Sequence, residues 1–458
     1  MTQPRHIAVI DIGKTNAKLA LVDLTTLSEI AVVTRPNTVC PGPPWPHFDV
    51  EGHWDFLLDA LGQFHRGHGV DAISVTTHGA CVALLAADGS LAAPILDYEH
   101  RFPAEIVAAY DAIRPPFSQT GSPRLAGGLN IGAQLHWQFL TDPYLRERTA
   151  RIVTYPQYWG HRLTGNAASD VASIGCHTDL WLPEKHRFSD LVETLGIADK
   201  IAAVAKSTEL LGHITPQIAK ATGLSPATPV AVGIHDSNAS LYPHMLTQAG
   251  PFSVVSTGTW VVVMSMGARA QSLDRDRDTL MNVNAEGAPV PSARFMGGRE
   301  YEAVQRGQPA QPTKQDVAAI LRDKVMLMPA VEPATGPFRS RQMQWVGSAP
   351  KVGTGRRSAA LSFYLAMMTD TCLWLTGACG PTIVEGPFAR NQEYLSMLAV
   401  ATGRPVLQSQ SETGTSIGAA LLFGSSKALA PAISLDVAKT GPDWRAYALQ
   451  WRQHVGET

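Results

Sequence analysis

Cysteine is scarce in this chain of 458 residues: there are five, an odd number, at Cys40, Cys81, Cys176, Cys372 and Cys379, with no Cys-x-x-Cys pair. That excludes a disulfide scaffold and the usual zinc spacings, and predicts reduced thiols that mostly fill cores. Charged residues are few, 17%, and nearly balanced, with a formal net charge of −2 and the Lys and Arg scattered. No basic stripe is offered to DNA or RNA, so no nucleic-acid partner is expected. Long apolar runs are also missing. The most apolar helical stretch, Ser358 to Leu375, is interrupted by Ser362, Thr369, Asp370 and Thr371, and reads as a buried helix between lobes rather than a membrane span. The opening MTQPRH runs straight into a strand pattern. With no charged n-region or apolar h-region, it predicts no export signal and a cytoplasmic protein.

What is present begins with 45% hydrophobic residues over a length sufficient for two or three domains, a globular composition. Ile7 to Asp23, IAVIDIGKTNAKLALVD, consists of two apolar runs hinged on a polar turn. Gly13-Lys14-Thr15 suggests a P-loop, but that motif needs a glycine five residues before Gly13, where Ala8 stands. The alternation after Asn16 predicts a returning strand rather than a helix. The turn is therefore read as a phosphate-gripping hairpin or as an ordinary hairpin with a polar tip. In the first reading the N–H groups of Gly13, Thr15 and Asn16 converge on phosphate oxygens, and Asp11 holds a metal ion directly or through water. Pro251 to Gly267 repeats the pattern around Ser256-Thr257-Gly258-Thr259. Two such hairpins, more than half the chain apart, imply a duplicated architecture.

Before the second hairpin, Val230 to Ala239 reads as a buried strand ending in Gly233-Ile234-His235-Asp236. Asp71 to Ser90 reads as strand, polar crossing at His78-Gly79, strand, and an Asp-Gly turn. Thr34 to Trp54 is an irregular loop rich in proline and histidine, followed by a helix near Asp55 to Phe64. The lobes are expected to part near Met245 to Gly250, giving domains 1–245 and 246–458.

These stretches resemble the FGGY carbohydrate kinases, whose catalytic aspartate lies in a Gly-x-x-Asp turn where this chain has Gly233 to Asp236. The resemblance continues in order through His78-Gly79, Glu99-His100-Arg101, Leu129 to Trp137, Tyr155 to Gly165, Ile383 to Asn391 and Thr413 to Ala420. Asn282 to Gly287 and Phe295 to Glu300 look most like the L-rhamnulose and L-fuculose kinase branch. It implies a two-lobed α/β fold, actin-like (ribonuclease H-like), with duplicated mixed-sheet domains closing on ATP and Mg²⁺. It also implies Asp236 as catalytic base and Asp11 at the metal. ATP would be met by Gly13, Lys14, Thr15, Asn16, Thr257, Gly258, Thr259, Gly386, Asn391 and Gly414. The sugar would be met by His78, Gly79, Glu99, Arg101, Gln157, Tyr158 and His235. Glu385 and Pro387 stand where relatives have a glycine run.

Phosphoryl transfer to a sugar hydroxyl needs screened phosphate charge, an in-line acceptor and a base for the acceptor's proton. The resemblance implies a ketose acceptor, a deoxyketohexulose such as L-fuculose or L-rhamnulose, with ketopentoses such as xylulose or ribulose, and polyols, as alternatives. An actin-like assembly ATPase and an inactive sugar-binding regulator are the readings from other classes. A homodimer is left open, and no membrane partner is expected.

Overall fold

The computed structural model describes residues 4–409, 414–424, 433–434 and 440–457. The chain forms two compact units. One comprises the described residues of Met1–Thr247, Met281–Pro289 and Thr413–Leu429, and the other those of Gln248–Leu280, Val290–Glu412 and Ala430–Thr458.

In the first unit, strand His6–Ile12 pairs antiparallel with Asn16–Asp23, which pairs antiparallel with Ser28–Pro36. On its other side His6–Ile12 runs parallel to Ala72–Thr77, and the sheet continues through Pro229–Ala231 to Leu210–His213. The second arm of the first hairpin is thus a strand, as the alternation after Asn16 requires. Successive side chains point to opposite faces. Ala8, Ile10 and Ile12 pack with helix Val50–His68, whereas Ile7 and Val9 pack with helix Gly414–Ala420. Helix Val50–His68 starts before the expected Asp55, because the Asp49 carboxylate caps the N–H of Gly52 at 3.0 Å.

The Gly-Ala-Ala helix, like Met281–Pro289, lies in this first unit and not with most of 246–458. A Cβ on Gly418 would lie 1.7 Å from the carbonyl oxygen of Ala239, so helices Gly414–Ala420 and Asp236–Thr247 meet backbone to backbone. Only glycine permits that approach.

The second unit repeats the plan. Phe252–Thr257 pairs antiparallel with Val261–Met266, which pairs antiparallel with Pro289–Phe295, and Phe252–Thr257 runs parallel to Thr382–Glu385. Beyond lie Val406–Gln408 and Ile433–Ser434. Both sheets have seven strands. In each, an antiparallel meander is flanked by a later strand parallel to its first, which is the duplication that the two hairpins implied. Helix Gly355–Leu375 is buried along nearly all of its length in the core of this unit. The expected helix near Lys314 to Leu321 is Lys314–Asp323, opened by a Thr313–Asp316 capping box.

Glu300, on helix Gly297–Gln305 of this unit, is fully buried. It accepts hydrogen bonds from the Tyr364 hydroxyl at 3.1 Å and the Glu332 N–H at 3.2 Å. Burial pushes its carboxyl up from 4.5 to about 7. A raised folded-state value means that the group's stabilising contribution is present below about 4.5 and is lost as pH rises through about 7. Glu300→Gln, a mimic of the protonated acid, should therefore be more stable than the parent by about 1–3 kcal/mol on the alkaline side of that window. The two should converge on its acid side. Denaturant unfolding across this range checks it, and parallel pH profiles would exclude Glu300 as the source.

Candidate active site

Asp236 owes its position to a backbone kink. Gly233 has φ +90°, and a Cβ there would lie 2.7 Å from the carbonyl oxygen of Val75, so only glycine lets the chain leave Pro229–Ala231 and rejoin the sheet. It rejoins as Ile234–His235, parallel to Thr76 and Thr77. Asp236 is then the first residue of helix Asp236–Thr247, where a carboxylate suits the exposed N–H groups and the helix dipole. Its Oδ1 accepts from the Ser237 N–H at 2.6 Å and lies 3.1 Å from His235 Nε2. The side chain remains 36% exposed, accessible to a ligand.

His235 rests on Gly79, where a Cβ would come within 2.6 Å of its Nε2. Beside it the buried His78 packs on Phe48, Tyr98 and Tyr155. Burial pulls the His78 imidazole down to about 4, so it is neutral near pH 7. Its Nδ1 lies 3.0 Å from the Gly79 carbonyl oxygen and must carry the proton. Among the described residues, His78 Nε2 is then a lone-pair acceptor without a partner, and His235 Nδ1 and both ends of the Asn238 amide are also buried and unpaired. Buried polar atoms of this kind call for a polar ligand.

Lys14 lies with this group. Its ammonium pairs with Asp97 and, at 3.2 Å, with Glu99, and stands over the rings of Tyr98 and Phe48. The resemblance implies a place for Lys14 at ATP; its pairing with Asp97, 83 positions away in the chain, is visible only in space. Arg101 is exposed. Gln157 is fully buried, donates to the Val232 carbonyl at 2.9 Å and accepts from Thr154, so both ends of its amide are used within the fold. Tyr158 is buried in the core, with its hydroxyl 3.3 Å from Arg162.

The hairpin turns spend part of their backbone on themselves. The Gly13 N–H donates to Asn16 O at 2.9 Å, and the Gly13 carbonyl accepts from the Asn37 amide at 2.8 Å. Gly258 N–H likewise donates to Trp260 O at 2.8 Å. Those two donors are therefore engaged, while Thr15, Asn16, Gly258 and Thr259 are exposed. Thr257 is buried and ties the second hairpin to the next turn, donating to Glu385 O and accepting from the Phe388 N–H at 3.1 Å. Gly386, with φ +77°, is required there, since a Cβ would fall 2.0 Å from Thr257 O. Asn391 caps helix Gln392–Thr402 through the Tyr394 N–H at 3.0 Å and donates to Ser362 at 2.9 Å. Gly414 opens helix Gly414–Ala420, and Thr413 lies outside the described residues.

Gly298 has a structural role beside the second turn. A Cβ on it would lie 2.2 Å from the Gly258 carbonyl oxygen, so helix Gly297–Gln305 starts directly against the second turn. The Gly297-Gly298 pair was the available signal.

Asp11 stands opposite Lys18 in the hairpin register, with Nζ at 3.4 Å, and Lys18 is shared with Glu29 at 3.2 Å. Burial, with a smaller push from the charge of Asp236, raises the Asp11 carboxyl to about 6. One lysine thus serves a locally acidic group, which suits a hard divalent cation. Among the described residues no cluster of three or more His, Cys, Asp or Glu is arranged to hold a metal. Mg²⁺ takes one or two carboxylates and keeps the rest of its shell for water and phosphate. Among them, too, no helix is long and apolar enough to cross a membrane.

Two family models match the chain: the N-terminal domain of the FGGY family of carbohydrate kinases over residues 6–242, and the carbohydrate kinase FGGY C-terminal domain over 249–431. An L-fuculokinase of Salmonella typhi is 23% identical over 265 residues, 56% of this chain and 56% of that protein. The chain thus spans little more than half the length of such curated relatives. An autoinducer-2 kinase of Yersinia enterocolitica is 22% identical over 99% of this chain and 92% of its own. Among solved structures, a carbohydrate kinase from Novosphingobium aromaticivorans superposes with TM-score 0.88 at 34% identity, covering 100% of this chain and 99% of that one. A xylulose kinase from Rhodospirillum rubrum gives 0.78 at 19%, covering 99% and 98%. The fold they share is the actin-like one.

The Gly79 contact generates a direct test. Gly79→Ala places a methyl group against His235, whose far end can yield. Turnover with a sugar acceptor should fall about tenfold or more through misplacement of the Asp236 neighbourhood, while the thermal midpoint barely moves. Unchanged turnover would show that Gly79 does not set this geometry.

Proposed function

The chain belongs to the FGGY family of carbohydrate kinases, and from that membership we propose that it is an ATP-dependent sugar kinase transferring the γ-phosphoryl group to a primary hydroxyl of a ketose. The observation that carries this reading is the Asp236 carboxylate, fixed at a helix start beside buried polar atoms that have no partner among the described residues. A neutral acceptor with several hydroxyl groups matches them: His78 Nε2 accepts from a hydroxyl, and the Asn238 amide both donates and accepts. Asp236 takes the proton of the attacking hydroxyl as the oxygen engages phosphorus.

Thr15, Asn16 and Thr259 offer hydroxyl, amide and backbone donors to phosphate oxygens. Asp11 would hold Mg²⁺, which supplies charge neutralisation to the phosphates when bound. Lys14, held by Asp97 and Glu99, is a positioning group for the acceptor in this reading. A deoxyketohexulose such as L-fuculose or L-rhamnulose is the proposed acceptor, supported by partial L-fuculokinase matches. The nearly full-length match to autoinducer-2 kinases motivates a second acceptor class.

The test is ADP release from Mg-ATP against free ketoses, aldoses, polyols and autoinducer-2. One acceptor should give saturable turnover, and Asp236→Ala should lower kcat by about 10²- to 10⁴-fold with nucleotide affinity retained. Wild-type turnover in that variant would remove Asp236 from the base role. Absence of turnover with the whole panel, with nucleotide still bound, would favour a regulator or an assembly ATPase. Asp11→Asn should raise the Mg²⁺ needed for half-maximal turnover about tenfold or more, and an unaltered requirement would place the metal elsewhere.

A further inference from the structure

The second unit contains a cavity of about 1040 Å³ that none of the proposed reaction groups lines. It opens at the sheet end opposite the Gly258–Thr259 turn. Gly377 precedes strand Thr382–Glu385, Arg404 precedes Val406–Gln408, and Arg269 follows Val261–Met266. Gly386 and the second hairpin turn lie at the far ends of the same sheet.

Six arginines line it: Arg269, Arg277, Arg339, Arg341, Arg404 and Arg452. Asp276, Asp370 and Glu457 are the carboxylates on the wall. Arg277 is paired with Glu457, and Arg452 with Asp370 at 2.7 Å. Arg339 turns to the buried Asp278 at 3.0 Å, an acid that also holds Arg294. Arg269, Arg341 and Arg404 have no carboxylate partner among the described residues.

The plain alternative is that these arginines neutralise helix ends. Helices Gly355–Leu375, Gln392–Thr402 and Pro442–Val455 all finish at the cavity, each with about half a negative charge at its C-terminus. Arg452 does donate to Ala401 O at 2.6 Å, and Arg341 to Val455 O at 3.1 Å. Among the described residues, helix ends and wall carboxylates together still leave a positive excess. Moreover, Arg404 Nη1 and Arg339 Nε are buried without a hydrogen-bond partner among the described residues. Burial makes the Arg404 cation costly; the nearby Asp370 charge offsets part of that cost and the smaller Arg269 charge adds to it, so a bound anion would relieve what remains. Trp374, 61% exposed, adds an apolar wall.

The geometry points to a second ligand site, for a small multivalent oxyanion of the phosphate-ester or polycarboxylate type, held by Arg269, Arg341 and Arg404. Guanidinium groups suit such ligands because their planar forks match paired anionic oxygens. The site is independent of the proposed kinase reaction.

Isothermal titration of pyrophosphate into the full chain, with citrate and sulfate as separate arms, tests it. Saturable pyrophosphate binding should weaken about 100-fold in Arg269→Gln/Arg404→Gln, taking roughly tenfold for each charge-assisted contact, with ATP affinity unaltered. Citrate binding that is lost in the same variant would assign the polycarboxylate source. Binding unchanged in the double variant, or no saturable binding of either anion, would overturn the proposal. Should the variant fold poorly, phenylglyoxal labelling of the unmutated protein decides. Pyrophosphate should protect Arg269, Arg341 and Arg404 from modification, and equal labelling with and without it would refute the site.

Discussion

The contact between Gly233 and the Val75 carbonyl is the constraint on which the rest of the candidate site depends. At 2.7 Å even a methyl group is excluded, and the left-handed backbone there turns the strand back onto Thr76 and Thr77. His235 consequently lands on Gly79, and Asp236 emerges at a helix start instead of inside a sheet. Two segments far apart in the chain, Val75 to Gly79 and Gly233 to Asp236, are thereby joined, and the cost of holding His235 and Asp236 there is met by packing that local sequence preference does not supply.

Close backbone approach recurs at three further glycines. Gly386 lies against Thr257, Gly298 against Gly258, and Gly418 against Ala239, each where a Cβ would overlap a carbonyl oxygen. These contacts make the turns rigid and preorganised, so little ordering entropy remains to be lost when a polyanion binds. The hairpin glycines have another duty: the Gly13 and Gly258 N–H groups close their own turns. Phosphate contacts would then fall to the exposed neighbours, Thr15, Asn16 and Thr259.

Charge is distributed in opposite senses in the two units. Around Asp11 a single lysine serves two paired carboxylates, with the charge of Asp236 also felt there, a setting for a cation. The arginine-lined cavity has the reverse imbalance. Both sit in a chain whose net charge is only −2, so the bulk value hides the local fields that matter for ligands.

By itself, the amino-acid sequence determined the duplicated hairpins, the strand return after Asn16 and the turn that presents Asp236, because each is governed by periodicity or glycine chemistry over a few residues. Tertiary structure alone decided which polar side chains face a ligand. Gln157 and Asn391 match the family pattern yet have both amide ends bonded within the fold, whereas Lys14 was drawn to Asp97 and Glu99. Whether a polar atom is satisfied depends on partners far away in the chain. The same holds for the Gly-Ala-Ala helix, whose place in the first unit follows from a backbone contact with Ala239 across more than 170 positions. Local patterns carry no information about such distances, and only packing sets them.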